Sequence, residues 1–175
     1  GDLIVLTSAD EGSQAQAVIA FDRKTGKQKW LTPISRGGFP KVHLKNTHAS
    51  PTIASANDRF YATFCHHGKI EAAAVDVSGK VVWKKNVGPF RPKAYEYGFG
   101  ASPTIYGSTL IVTGTCDTGG WMKALDLETG KIRWQQERPK VLNWASPIVA
   151  EVGGREQLLI SGGYMIAAYN PDSGK

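Results

Sequence analysis

The sequence of 175 residues has no long apolar run, almost no helical periodicity and only two cysteines. No apolar stretch approaches the roughly 18 residues that cross a membrane, so we expect no transmembrane segment. The first residues carry no basic and apolar leader, so we expect no signal peptide in this chain. Apolar residues recur in short runs bounded by glycine and proline, and this pattern predicts an all-β protein.

The sequence also lacks the motifs of a catalytic centre. It contains no nucleophile elbow, and Glu96 and Asp117 are isolated carboxylates without an acid-base partner. Cys65-His66-His67 contains metal-ligand residue types, but neighbouring residues on a strand point to opposite faces, and no CxxC or HxxxH spacing supports them. We therefore predict no catalytic residue, no metal site and no bound cofactor, and the residues favour a protein that is not an enzyme.

The charge is moderately basic, with 21 lysines and arginines against 15 acidic residues. The densest basic run, residues 23–29, crosses a predicted hairpin turn, and no nucleic-acid-binding module is present. We expect no nucleic-acid partner, whereas an acidic surface or polymer is a candidate partner.

The chain does contain a phrase that occurs four times. It consists of alanine, an apolar residue, Asp or Asn, a turn ending in Gly-Lys and, in three copies, tryptophan four residues after the glycine. The glycines are Gly26, Gly79, Gly130 and Gly174, and the tryptophans are Trp30, Trp83 and Trp134. The glycines lie 53, 51 and 44 residues apart. This period predicts one four-stranded β-propeller blade per copy, with glycine at a positive-φ turn.

A second phrase, Ala-Ser-Pro, begins at residues 49, 101 and 145. Proline suits the first residue of a strand, so the phrase predicts strand A of each blade, followed by strands B, C and D. The predicted layout has strands B–D of one blade over 2–31, whole blades over 49–87 and 101–138, and strands A–C of a fourth over 145–175. These make about three and a half blades of a single partial propeller.

Binding residues are expected where the D-to-A connections and the B-to-C turns meet at one face of a propeller. The connections at 36–48 and 89–99 put cations beside aromatic rings, which favours a protein, an anionic ligand or a saccharide-like ligand. The candidate residues are Arg36, Lys41, His43, His48, His66, Arg91, Lys93, Tyr95, Tyr97 and Trp121. The alternative is that these connections pack on one another and leave their cations solvated.

The phrase Ala-apolar-Asp-x-x-Thr-Gly-Lys-x-x-Trp resembles the PQQ-like, or quinoprotein-dehydrogenase-like, propeller repeat over nearly the whole chain. The resemblance implies an eight-bladed ring, tryptophans docked between blades, and an exported, periplasmic protein. Catalytic members bind pyrroloquinoline quinone and calcium at the ring axis, with adjacent cysteines in a disulfide above the quinone. Cys65 and Cys116 are not adjacent. They lie near the ends of strand B in successive blades and are predicted to be free, buried thiols.

Three functions remain open at this point. The first is a non-catalytic binding or scaffold propeller. The second is a fragment of a PQQ- and calcium-dependent dehydrogenase. The third is a half-propeller whose two copies close one ring, because a partial ring leaves apolar faces and strand edges that need the missing half or a second copy.

Overall fold

The computed structural model describes residues 1–175, which form fourteen β-strands in four antiparallel sheets. The strands are β1 (Leu3–Asp10), β2 (Ala15–Asp22), β3 (Gln28–Arg36), β4 (Ala54–Ala56), β5 (Arg59–His66), β6 (Lys69–Asp76), β7 (Val81–Pro89), β8 (Thr104–Tyr106), β9 (Thr109–Cys116), β10 (Gly119–Asp126), β11 (Ile132–Arg138), β12 (Ile148–Val152), β13 (Arg155–Gly162) and β14 (Met165–Tyr169). None of its elements is a helix long and apolar enough to cross a membrane.

Each sheet is a meander of consecutive strands. The first contains β1–β3, the second β4–β7, the third β8–β11 and the fourth β12–β14. The all-β prediction is confirmed. Strand β3 continues to Arg36, whereas the predicted strand ended at residue 31. A bulge beside Pro33 explains the difference, because it lets the pairing with β2 resume past a residue that has no N–H.

The sheets pack face to face in chain order, and alternate residues of a strand contact different neighbours. In β5, Phe64 joins the core shared with the first sheet, whereas Tyr61 and Cys65 join the core shared with the third. The residues at 72–74 of β6 are three fully buried alanines. Small side chains on both faces of this strand let three sheets approach closely, as the dense packing of protein interiors requires.

A tryptophan near the start of the last strand of a sheet docks onto the following sheet. Its indole N–H donates to a carbonyl in that sheet's last turn: Trp30 Nε1 to Val77 O (3.1 Å), Trp83 Nε1 to Leu127 O (2.8 Å) and Trp134 Nε1 to Pro171 O (3.1 Å). Its ring covers the turn glycine, so that Cβ atoms added at Gly79, Gly130 and Gly174 would lie 2.8, 2.8 and 2.6 Å from ring atoms. These glycines are therefore needed both for positive φ and for close approach.

The aspartate of the repeat closes the same turn. The Oδ1 atom of Asp126 accepts the backbone N–H groups of Glu128 (3.1 Å) and Thr129 (2.8 Å). Hydrogen bonds from the Arg133 guanidinium and the Thr129 hydroxyl lower the pKa of Asp126 to about 2. The carboxylate therefore stays ionised and keeps the turn in shape at neutral pH.

The Ala-Ser-Pro phrase links the sheets at their first strands. The Ser102 hydroxyl accepts the N–H of Thr52 (2.8 Å), and the Ser146 hydroxyl accepts the N–H of Ser102 (2.8 Å). The prolines were expected to be the first strand residues, but they precede β8 and β12 by one residue and β4 by three. The phrase is used for contacts between sheets, and regular pairing starts after it.

We predict that the cost of replacing a turn glycine depends on whether an indole covers it. Gly26 and Gly130 both have φ of 67°, but a Cβ at Gly26 has no neighbour within 4 Å. In the 1–175 chain, Gly26→Ala should cost about 1–2 kcal/mol because of the backbone conformation alone. Gly130→Ala should cost about 1–3 kcal/mol more, because the methyl group displaces Trp83. Urea unfolding measures the loss of unfolding free energy in each variant. Equal losses in the two variants would contradict the docking role of the indole.

Candidate functional site

The three connections between sheets, residues 37–53, 90–103 and 139–147, lie with the turns after β5, β9 and β13 at one end of the sheets; we call this surface the loop face. The first two connections contact each other. The Lys41 ammonium lies 3.1 Å from the Glu96 carboxylate, and the amide of Asn46 donates to the carbonyl of Tyr97 (2.5 Å). The His43 ring packs edge-on against Tyr97, with centroids 5.2 Å apart.

A cleft of about 630 Å³ opens where the second and third connections meet the turns after β9 and β13. This aromatic cleft is lined by Tyr95, Tyr97, Asp117, Lys140, Val141, Leu142, Trp144, Gly163 and Tyr164. Its rings are exposed by 53% at Tyr95, 43% at Tyr97 and 37% at Trp144, and Tyr164 is fully exposed. The volume is within the range of ligand pockets, and large exposed rings in one place are typical of binding surfaces.

Three of the four rings of the cleft are held by contacts within the protein. Trp144 donates its indole N–H to the carbonyl of Gly98 (3.0 Å) and stacks on Tyr97 at a centroid distance of 5.7 Å. Tyr95 also packs against Tyr97, with ring centroids 5.3 Å apart. Because these three rings need little further ordering, a ligand that contacts them loses little side-chain entropy in the protein.

Asp117 lines the cleft and binds two backbone N–H groups of the second connection. Its carboxylate accepts the backbone N–H groups of Lys93 (3.0 and 3.1 Å) and Ala94 (2.9 Å). These hydrogen bonds lower the pKa of Asp117, and the bond from the Lys93 N–H has the largest effect. The charged carboxylate therefore ties the second connection to the turn after β9.

Tyr164 projects from a strained turn. It has φ of 64° in the two-residue turn between β13 and β14, where the preceding Gly163 has the same φ. A bulky side chain rarely adopts this conformation, in which Gly, Asn or Asp is preferred. Strained residues of this kind occur most often at functional sites.

The structure brings together only part of the predicted set. His43, Tyr95 and Tyr97 are in contact, and Lys41 and Lys93 belong to the same surface. Arg91 lies beside them, with its Nε donating to the carbonyl of Gly68 (3.4 Å). Arg36 is the last residue of β3 and is exposed on the first sheet. It does not line the aromatic cleft.

His48 and His66 belong to a polar network between the first two sheets. The amide of Gln16 donates to the carbonyl of His48 (2.7 Å) and accepts the hydroxyl of Ser35 (2.6 Å). His66 Nε2 lies 3.4 Å from Glu71 Oε1, which also lies 3.7 Å from Lys84 Nζ. His48 takes part only through its backbone carbonyl, because Nδ1 of its ring is buried without a hydrogen-bond partner.

Trp121 is a correction to the predicted site. Its side chain is only 9% exposed and packs in the core between the second and third sheets. The indole N–H donates to the carbonyl of Pro89 (2.8 Å). Cβ atoms added at Gly88 and Gly114 would lie 2.7 and 2.5 Å from its ring, so the two glycines make room for it. Trp121 therefore acts in intersheet packing.

Residues that the sequence interpretation missed complete the cleft. Trp144 and Lys140 lie in the third connection, and Tyr164 lies in the turn after β13. The signal was present, because the rule that connections and B-to-C turns carry binding residues applies to both segments. The third connection also places a cation, Lys140, near an aromatic ring, Trp144.

The cysteines lie apart from the cleft. Cys65 and Cys116 are free and buried in the same core between the second and third sheets, as predicted. Burial raises the pKa of the Cys65 thiol to about 12, so this thiol is protonated and unreactive. No group of three or more His, Cys, Asp or Glu side chains in residues 1–175 could hold a metal ion. Because Cys65 and Cys116 are separate free thiols, these two residues do not form a disulfide of adjacent cysteines.

The four antiparallel sheets pack in order, and an indole is docked at each junction between them. This arrangement defines a partial β-propeller whose blades are copies of one sequence repeat. The family model for outer membrane protein assembly factor BamB matches residues 14–175. The chain therefore belongs to the BamB-like family of PQQ-repeat β-propellers. Among curated protein sequences, none matches the chain.

Solved structures share the fold at low sequence identity. The chain is similar to the quinohemoprotein alcohol dehydrogenase from Comamonas testosteroni, with 17% identity and a TM-score of 0.64 over 99% of this chain and 36% of that one. It is similar to BamB from Moraxella catarrhalis, with 15% identity and a TM-score of 0.57 over 98% and 51%. It also resembles the computationally designed Ika4 protein, with 8% identity and a TM-score of 0.56 over 97% and 85%. The chain thus spans about a third of the dehydrogenase and half of BamB.

We predict that stability falls as the pH drops below about 6.5. Burial lowers the pKa of His66 and of His48 from the usual 6.5; for His66, Glu71 opposes this effect, and His67 and Lys84 add to it. The unfolded chain therefore takes up protons at a pH where the folded protein does not, so protonation favours unfolding.

Urea unfolding at pH 7.5, 6.5 and 5.5 measures this dependence. The midpoint should fall between pH 6.5 and 5.5, and His66→Gln should make the fall smaller. His43→Gln is the control, since that ring is exposed. A midpoint that is constant over this range would contradict the burial of neutral histidines.

Proposed function

We propose that this domain is a non-catalytic binding or scaffold module that holds its partner over the loop face. The observation that carries the proposal is the aromatic cleft, in which the rings of Tyr95, Tyr97 and Trp144 are exposed although contacts within the protein already fix them. Tyrosine and tryptophan supply much of the binding energy at interfaces, because they bury a large area with few rotatable bonds. The partner is a protein, an anionic ligand or a saccharide-like ligand.

We also propose that the protein is exported to the bacterial periplasm. Support comes from the family, whose description names an outer membrane protein assembly factor, and from the similarity to BamB. A non-catalytic role in the cell envelope is consistent with a surface that is built for contact and has no clustered acid, base and nucleophile.

We predict that removing exposed polar side chains from the loop face weakens partner binding without unfolding the protein. Arg91→Ala and His43→Ala each remove an exposed side chain of the loop face, and Lys131→Ala is the matched control at the opposite end of the sheets. Quantitative cross-linking of the complete protein to its partners in native envelopes should decrease about fivefold or more for the first two variants. Equal cross-linking by all three would remove these residues from the site, and substrate turnover by the intact protein would contradict the non-catalytic role.

A second candidate function, self-assembly into a propeller ring, is favoured by the apolar outer faces of the end sheets. Ile4 and Leu6 pair with residues of β2 on the face of the first sheet that points away from the second, and they are 44% and 50% exposed. On the fourth sheet Ile148 and Ile166 are 56% and 77% exposed. We propose that a second copy covers these faces head to tail and completes an eight-bladed ring.

We predict that the 1–175 chain is a dimer in solution at micromolar concentration. Leu6→Lys or Ile166→Lys should convert it to a monomer, because each places a charge on an apolar contact surface. Leu44→Lys is the control, since Leu44 is fully exposed on the loop face. Analytical ultracentrifugation measures the mass, and a wild-type monomer at high concentration would exclude this assembly.

A further inference from the structure

We propose that the aromatic cleft binds an extended acidic polypeptide segment. An apolar side chain of the segment fills the cleft, and its carboxylates lie beside the lysines and the arginine of the loop face that have no ion-pair partner. The inference rests on the proposed binding role of the loop face and specifies the chemistry of its partner.

The lining of the cleft favours an apolar anchor over a sugar. Six of the nine lining residues are hydrophobic. The indole N–H of Trp144 is already bonded, and both carboxylate oxygens of Asp117 accept backbone N–H groups. The remaining polar groups are the tyrosine hydroxyls and the Lys140 ammonium. A saccharide would bury many hydroxyl groups against these few partners, and each unpaired hydroxyl is costly.

The charge of the loop face favours an acidic partner. Its three connections carry five lysines and arginines, namely Lys41, Lys45, Arg91, Lys93 and Lys140, and one carboxylate, Glu96; the turn after β9 adds the carboxylate of Asp117, so the cations remain in excess. Glu96 forms an ion pair with Lys41 alone, and the other four cations have no ion-pair partner. Carboxylates of a bound segment would lie in the positive potential of these cations. This potential speeds association of acidic segments with the loop face and disfavours basic ones.

The geometry of the rings favours an extended segment. Tyr95 and Trp144 each contact Tyr97, with centroid separations of 5.3 and 5.7 Å, so three rings line the cleft in series. Fully exposed Tyr164 lines the same cleft from its strained turn. A segment that contacts the three rings and Tyr164 would bury all of them, and the binding energy of Tyr164 would offset the strain of its backbone.

The test measures binding of blocked hexapeptides to the complete protein by two-dimensional NMR or calorimetry. The probe is Glu-Glu-Leu-Phe-Glu-Glu, with Lys-Lys-Leu-Phe-Lys-Lys and Glu-Glu-Gly-Gly-Glu-Glu as the controls for charge and for the apolar anchor. We expect the probe to bind at least about tenfold more tightly than either control, and to weaken as ionic strength rises from 0.05 to 0.3 M. No binding of the probe at millimolar concentration, or equal binding of either control, would overturn the proposal.

The decisive variant is Tyr164→Asn. Asparagine tolerates positive φ, so this variant should be at least as stable as the wild type, while its affinity for the probe should fall about tenfold. Lys140→Glu should lower the affinity by a similar factor, whereas Lys131→Glu, which makes the same charge change at the opposite end of the sheets, should leave it unchanged. Unchanged affinity in Tyr164→Asn would assign this tyrosine to the turn alone and overturn its place in the site.

The two proposals fail in different ways. In one outcome, Arg91→Ala and His43→Ala each lower cross-linking to the native partner while the acidic hexapeptide does not bind the wild type. In that case the loop face binds a partner of different chemistry, and only the proposal of an acidic segment is refuted. Binding of an alginate or other uronic-acid oligosaccharide in place of the probe is one such result. If neither the native partner nor the probe depends on the loop face, both proposals are refuted.

Discussion

The docking of an indole onto a glycine of the next sheet is the contact on which the rest of the structure depends. It sets the distance between neighbouring sheets, because the ring fills the space that a side chain at Gly79, Gly130 or Gly174 would occupy. The indole N–H also pairs a turn carbonyl that would otherwise lose its hydrogen bond to water. Since the sheets contact only their neighbours, stability accumulates from one junction to the next, as in other repeat proteins.

Holding the sheets in this way leaves the loop face free to specialise. The indole contacts lie at the turns between the last two strands of each sheet, at the opposite end from the long connections. Outside the Ala-Ser-Pro phrase, the connections take no part in the indole contacts, and these parts of their sequences can serve binding. The cleft illustrates this, because Trp144 and Tyr97 are fixed by bonds among the connections themselves.

The sequence predicted the sheets better than the site because sheet residues follow a fixed period. Trp121 shows the limit of a prediction from residue type. It lies five residues before Asp126, which ends its strand, and it faces the preceding sheet. Residue type alone makes an aromatic residue near a turn a candidate surface ligand, yet its position in the strand assigns it to the core. For Tyr164 the sequence indicates only a B-to-C turn, and its exposure and positive φ are known from the structure alone.

The sequence by itself determined the all-β class, the repeating unit and the residues that dock its copies together, because each of these follows from the spacing of glycine, tryptophan and the strand residues between them. Only the tertiary structure decided which side chains share the loop face. Tyr97, Asp117, Trp144 and Tyr164 come from four separate segments. Their meeting depends on the rotation of each sheet relative to the last, and no local pattern in the chain records that rotation.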